Sequence, residues 1–349
     1  MSVSHMDMSR RQFLRTAGLG AVALAGLGIS GCSTSASASS ATTAATTGEL
    51  TQLSFVLDYT PNTNHTGIYV AQSKGYFADE GLSVEVVQPP EDGADAIVGT
   101  GQAQVGMSYQ DTMANYLGSS DPLPVTAVAA VIQHNTSGIM SRAGEGITHP
   151  AGMMDKRYAT WDQDVEKAII KSVVTTDGGD FSRVSLVPCN STDEVSGLKA
   201  DEFDDIWVYE AWAVQNAKVQ GFDYDYFAFK DIDARFDYYT PVVIANDDFL
   251  KDSPDTAKAF LRAVRKGYEY AEENPDDAAQ ILCAAAPEVD ADLAKASQEY
   301  LADKYTAEAS SWGVIDPDRW NSFYQWLGQE SLTEVAIPDG TGFSMDYLA

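Results

Sequence analysis

From residue 50 onward, short apolar runs alternate with longer amphipathic stretches, and this rhythm limits the chain to a few architectures. Residues 53–57 read as a strand, 66–77 as a helix and 83–87 as a second strand. Residues 94–100 read as helix, 103–107 as strand, 111–118 as helix and 125–132 as a fully apolar, central strand. Strand–helix–strand repetition of this kind predicts a parallel-dominated sheet with helices on both faces, an α/β fold. A second unit of the same kind starts after the Gly/Ser-rich stretch 138–150. Strands are expected at 156–160, 184–187, 206–209 and 226–229, with helices at 165–174 and 210–220. The C-terminal third turns helical. Ser253-Pro254, Asn274-Pro275 and Asp316-Pro317 each place a capping residue before a proline at the first helical position. The full length of 349 residues suits two lobes of ordinary size.

Residues 1–50 are read as targeting and tether. Arg10-Arg11 precede an uncharged apolar run from Ala17 to Ser30. That run is too short to span a bilayer and reads as a twin-arginine signal. It ends in Ile29-Ser30-Gly31-Cys32, which resembles a bacterial lipoprotein processing site, with Cys32 the lipidated residue. The expected division is a signal peptide at 1–32 and a flexible Ser/Ala/Thr linker at 33–49, placing the protein outside the cytoplasm on the bacterial membrane.

Charge excludes several partners. Against 22 Lys and Arg stand 51 Asp and Glu, a net charge of −29. Such a surface repels phosphate backbones and anionic lipid, so neither nucleic acid nor a polybasic membrane contact is expected. Cys189 and Cys283, far apart in sequence, read as two inert thiols, with pairing left open. No nucleotide-binding, hydrolase or zinc motif is found, and His65, His134 and His149 are scattered. No cofactor, metal or catalytic residue is therefore expected.

Two clusters carry the binding chemistry. The first, residues 58–67, lies between the first strand and the first helix. There Asp58, Tyr59, Asn62, Asn64 and His65 crowd the carboxyl end of a strand, where open α/β sheets bind ligands. The second is Trp207-Val208-Tyr209-Glu210-Ala211-Trp212, which ends a strand with aromatic rings and a carboxylate. Aromatic faces sandwich planar rings, and Glu210 is expected to accept hydrogen bonds from an amino group. Trp207 faces either core or cleft. Tyr109, after the third strand, and Trp161, before a helix N-terminus, complete the candidate set.

The run from Leu57 to Gly67 resembles the opening signature of the thiamin-pyrimidine-precursor-binding lipoproteins of bacterial ABC importers, with Tyr59 where that family carries Trp. Lys74-Gly75-Tyr76-Phe77, Gly178-Gly179-Asp180-Phe181 and Phe236-Asp237-Tyr238-Tyr239-Thr240-Pro241 extend the resemblance. It implies a type II periplasmic-binding-protein fold, two lobes around a central cleft. Lobe one is then 50–138 plus 241–349 and lobe two 139–240. It also implies a monomeric, non-enzymatic binder that captures a formylaminopyrimidine or hydroxymethylpyrimidine and delivers it to a permease and ATPase. Tyr59 and a second-lobe aromatic would stack on the ring, while Asn62, Asn64 and Glu210 read its nitrogens. The alternatives on this scaffold are a riboflavin, sulfonate or nitrate ligand, or a pyrimidine-synthase-like enzyme.

Replacing Cys32 by Ala should move the protein from the membrane to the soluble fraction. Retention of Cys32→Ala on membranes would overturn the reading of residues 1–50.

Overall fold

The structure, a computed structural model, describes residues 49–90, 93–189 and 193–348. The expected signal, Cys32 and all but the last residue of the expected linker lie outside the described residues. Ten strands are present among the described residues. In chain order they are β1 (Thr51–Val56), β2 (Leu82–Val87), β3 (Val105–Ser108), β4 (Val125–Ala130) and β5 (Ser137–Arg142), then β6 (Arg157–Thr160), β7 (Ser185–Pro188), β8 (Asp205–Tyr209), β9 (Tyr224–Ala228) and β10 (Val242–Asn246).

They form two five-stranded sheets, ordered β2-β1-β3-β10-β4 and β7-β6-β8-β5-β9. The sheets share one plan. Four strands run in one direction, and the strand that enters from the other sheet, β10 or β5, runs antiparallel to both of its neighbours. Both sheets are therefore mixed. The chain leaves the first sheet after β4 and returns to it at β10, so two segments join the sheets. Asn135 on one segment ties them together: its N–H donates to Asp237 Oδ1 at 2.9 Å and its side chain to the Phe236 carbonyl at 2.8 Å. Ser137 and Gly138, expected to end lobe one, already pair with Tyr209 and Val208 in the second sheet.

Three local expectations need correction. The helix expected over 66–77 is two helices, Thr66–Ser73 and Tyr76–Asp79, because Gly75 turns left-handed at φ +78° between them. No strand is expected in the stretch 138–150, yet β5 occupies its start. And β4, expected to be central, is an edge strand. Its apolar residues are buried because the C-terminal segment covers that edge: Ala127 N–H donates to Gly342 O and Ala130 N–H to Gly313 O, at 2.9 and 3.0 Å. No helix among the described residues is long and apolar enough to cross a membrane.

The C-terminal helices form the outer support of the first loop. The helix Pro254–Glu273 buries an apolar stripe that includes Ala257, Phe260, Leu261, Val264, Tyr268 and Ala271, as helical spacing dictates. It crosses the helix Thr66–Ser73 at Gly267 and Gly67. A Cβ on Gly267 would lie 2.0 Å from the Gly67 carbonyl oxygen. From this support Tyr268 donates to the Asn64 carbonyl at 2.5 Å and Tyr305 to the Thr63 carbonyl at 2.9 Å. The backbone of the 58–65 loop is thus held from behind.

Inside that loop a buried carboxylate organises the turn. His65 Nδ1 accepts the Asn62 N–H at 3.1 Å, which leaves the ring proton on Nε2 for Asp58 Oδ1 at 2.6 Å. The other Asp58 oxygen accepts the Tyr109 hydroxyl. Burial works to raise the Asp58 carboxyl, but His65 and Tyr109 outweigh it and hold it below its ordinary value.

Two outcomes follow. Gly267→Ala should cost roughly 1–3 kcal/mol by overpacking and lower the melting temperature, while Gly328→Ala, where a Cβ meets nothing within 4 Å, should not. Equal melts would remove the helix crossing as a constraint. Because its folded pKa is depressed, Asp58 stabilises the protein above its unfolded value of about 3.9, and this support is lost as pH falls below that. The melting temperature of the native protein should therefore fall more steeply below about pH 4 than that of Asp58→Asn; parallel curves would show the carboxylate to be inert.

Candidate binding site

A cavity of about 420 Å³ opens at the carboxyl ends of the parallel strands of both sheets. Its walls come from the loops after β1, β3, β6 and β8, from the region after β7, and from Thr136 and Thr240 on the two connecting segments. Of the eleven ligand-binding candidates, eight line it: Tyr59, Asn62, Asn64, Tyr109, Trp161, Trp207, Tyr209 and Trp212.

The aromatic groups sort by depth. Tyr59 is 62% exposed and Trp161 45% exposed, from opposite lobes. Tyr109 and Tyr209 lie deeper, one from each lobe, with ring centroids 6.1 Å apart and planes 16° apart. Burial raises both phenols above their ordinary values, so they remain neutral donors. Trp207, only 3% exposed, both lines the cavity and packs on Phe229, with ring centroids 4.4 Å apart and planes tilted by 58°. Its two sequence readings, core and site, both describe it.

The polar groups divide between structural work and availability. The Asn62 side chain caps the turn, accepting from Asn64 N–H at 2.9 Å and donating to Thr60 O at 3.0 Å. No described residue bonds the Asn64 side chain, which leaves its amide available at the wall. Asp58 and His65 do not line the cavity. They bond each other beneath it and carry Tyr109.

Glu210 does not line it either. Expected to face an amino group, it instead accepts the Tyr300 hydroxyl at 2.9 Å. The reason is local: residues Glu210–Val214 form a π-helical turn, and the wider turn presents Ala211, Trp212 and Ala213 to the cavity. The carboxylate that lines the cavity is Glu194, which sequence reasoning missed. It opens the short helix Glu194–Lys199, capped by Asp193. Burial, with Asp193 beside it, raises its carboxyl above the ordinary range. Its sequence signal is its place, because Glu194 follows β7 as Asp58 follows β1, but no aromatic cluster surrounds it. Cys189 also lines the cavity, whereas Cys283 lies on the helix Pro275–Ala285.

No Lys, Arg or His is among the described lining residues. His65 is buried below, His134 sits between Asp237 and Glu308 at 2.7 and 2.8 Å, and His149 pairs with Asp177. The cavity therefore offers flat apolar faces, amide and hydroxyl groups, and one carboxylate. That set suits a planar ring bearing hydrogen-bond donors.

The solved structure of the alkanesulfonate-binding protein of Xanthomonas axonopodis pv. citri superposes with a TM-score of 0.65 at 9% identity, covering 85% of this chain and 99% of that one. The fold is that of the periplasmic binding proteins. A formylaminopyrimidine-binding protein of Halalkalibacterium halodurans is 30% identical over 304 residues, 84% of this chain and 90% of its own. A 4-amino-5-hydroxymethyl-2-methylpyrimidine phosphate synthase of Saccharomyces cerevisiae is 24% identical over 237 residues, 64% of this chain and 68% of its own. Residues 62–278 match the family described as NMT1/THI5 like, and to that family the chain belongs.

Proposed function

We propose that the protein is the extracytoplasmic solute-binding component of an ABC importer and captures an aminopyrimidine precursor of thiamin. A formylaminopyrimidine or hydroxymethylpyrimidine enters between Tyr59 and Trp161 and is held by rings from both lobes. Glu194 accepts from the ring amino group, and Asn64 reads a ring nitrogen. A membrane permease, driven by a separate ATPase, receives the ligand. The protein acts as a monomer held to the membrane by lipid on Cys32.

The observation that carries this reading is the wall itself: stacked aromatics from both lobes around one partly buried carboxylate, with no basic group among the described lining residues. A sulfonate or nitrate would leave Glu194 facing a second negative charge, with no cation to compensate. Capture is favoured over synthesis because none of His65, His134 and His149 reaches the cavity.

Titration calorimetry with formylaminopyrimidine tests the assignment of roles. Charge-assisted hydrogen bonds are worth about 1.5–3 kcal/mol, so Glu194→Gln should weaken binding by roughly one to two decades. Glu210→Gln should leave affinity within about threefold and act on the bond to Tyr300. The opposite ranking would return the recognition role to Glu210. Mass spectrometry of ligand carried through native purification tests the ligand class, and a sulfonate or flavin in place of a pyrimidine would overturn it.

A further inference from the structure

The π-helical turn Glu210–Val214 is gripped from outside the cavity by the helix Ala291–Leu301. That helix packs on the helix Pro275–Ala285, which in turn packs on Thr66–Ser73, so it belongs to the support behind the first loop. Gln298 fixes it there by accepting the Tyr305 hydroxyl at 3.1 Å. The same helix also meets the π turn and the helix Gln215–Val219, both of which follow β8 of the second sheet.

Two hydroxyls on this helix, three residues apart and so on one face, reach across. Ser297, with no exposed surface, donates to the Ala211 carbonyl. Its single proton is thereby committed, so the Thr63 hydroxyl, 2.5 Å from the same oxygen, donates to it. Thr63 and Ala211 both line the cavity, one from each half. Ser297 therefore joins the two walls through a chain of two hydrogen bonds. Tyr300 donates to Glu210 Oε2 at 2.9 Å. Burial, with Glu210 beside it, raises its phenol above the ordinary value and keeps it a neutral donor. Neither Ser297 nor Tyr300 is among the described lining residues. The turn's other hold is on a connecting segment, where the Glu210 N–H donates to the Thr136 carbonyl at 2.7 Å.

We propose that Ser297 and Tyr300 are positioning residues of the ring cavity, a clasp outside it that sets the spacing between the wall carrying Thr63 and the wall carrying Ala211 and Trp212. The inference rests on the reading of this cavity as the ligand site and not on which ring fills it. Clasp bonds exist only while the walls stand together. They oppose separation, so they act on how long a ligand stays and not on how it arrives. Because neither residue touches the ligand, they tighten every ligand of the cavity alike and discriminate none. Glu210 thereby acts on the cavity from outside it: its carboxylate receives the clasp.

Stopped-flow fluorescence of the cavity tryptophans with formylaminopyrimidine and hydroxymethylpyrimidine tests this. Tyr300→Phe and Ser297→Ala should each raise the dissociation rate about fivefold or more and leave the association rate within about twofold. The ratio of the two ligands' affinities should stay within about twofold. Glu210→Gln keeps an oxygen for Tyr300 and should resemble the native protein. Glu210→Ala should reproduce Tyr300→Phe, and the two together should be no worse than either. Tyr270→Phe breaks a like bond, Tyr270 to Asp277 at 2.6 Å, that lies within one half, and should change neither rate. In the ligand-free protein, amide exchange across 210–216 should quicken in Tyr300→Phe and stay native in Tyr270→Phe. A dissociation rate within about twofold of native in Tyr300→Phe, or a shifted ligand ratio, overturns the clasp and spares the binding reading. If the native protein binds neither pyrimidine, that reading falls, and exchange alone decides the clasp: unchanged exchange at 210–216 overturns it. Should Ser297→Ala not fold, Tyr300→Phe carries the test.

Discussion

The geometry of the ring cavity depends on one buried carboxylate. Asp58 follows β1 and bonds to His65 within its own loop and to Tyr109 just after β3. A single side chain thus fixes two neighbouring strand ends relative to each other. Tyr109 stands in the cavity because its hydroxyl is anchored below, and Asn64 reaches the wall because His65 closes the turn around it. Left without these donors, a carboxylate in that place would cost several kcal/mol in desolvation. The loop therefore has little freedom to rearrange around a ligand and arrives largely formed, which lowers the entropy lost on binding.

Most of the architecture was legible in the sequence, because it rests on periodicity. Strands β1 and β8 show as short apolar runs, β2 as an alternation of apolar and polar residues, and the helix Pro254–Glu273 as a stripe of apolar residues. What was not legible depended on distant partners. β4 reads as central because it is apolar throughout, yet it is an edge strand covered by residues more than 180 positions away, Gly313 and Gly342. β5 hides in a Gly/Ser-rich stretch that resembles a linker. Its burial comes from β8 and β9 on either side, and composition cannot announce that.

The site divides along the same line. Eight of the eleven candidates, on loops at the carboxyl ends of strands and on β8 itself, line the cavity. The three that do not are the two carboxylates and the histidine, Asp58, Glu210 and His65. Each of these three was read as meeting a ligand, but each has a protein partner: Asp58 and His65 each other, and Glu210 Tyr300. Where a side chain points is set by one turn of backbone, and at Glu210 that turn is π-helical. The carboxylate that does face the cavity, Glu194, lies in a polar stretch with no aromatic neighbour to draw attention to it.

Because Tyr109 and Tyr209 come from different sheets, neither half of the molecule holds a complete binding surface. One half contributes Tyr59 and Tyr109, the other Trp161, Trp207, Tyr209 and Trp212, and each alone holds only a fraction of the hydrogen-bonding groups. Parting the halves by a few ångströms exposes one face of any bound ring to solvent and breaks the stack at a stroke, since dispersion contacts decay steeply with distance. Retention is then a threshold function of separation. Separating the halves would therefore take the shared wall apart without any chemistry directed at what lies in the cavity.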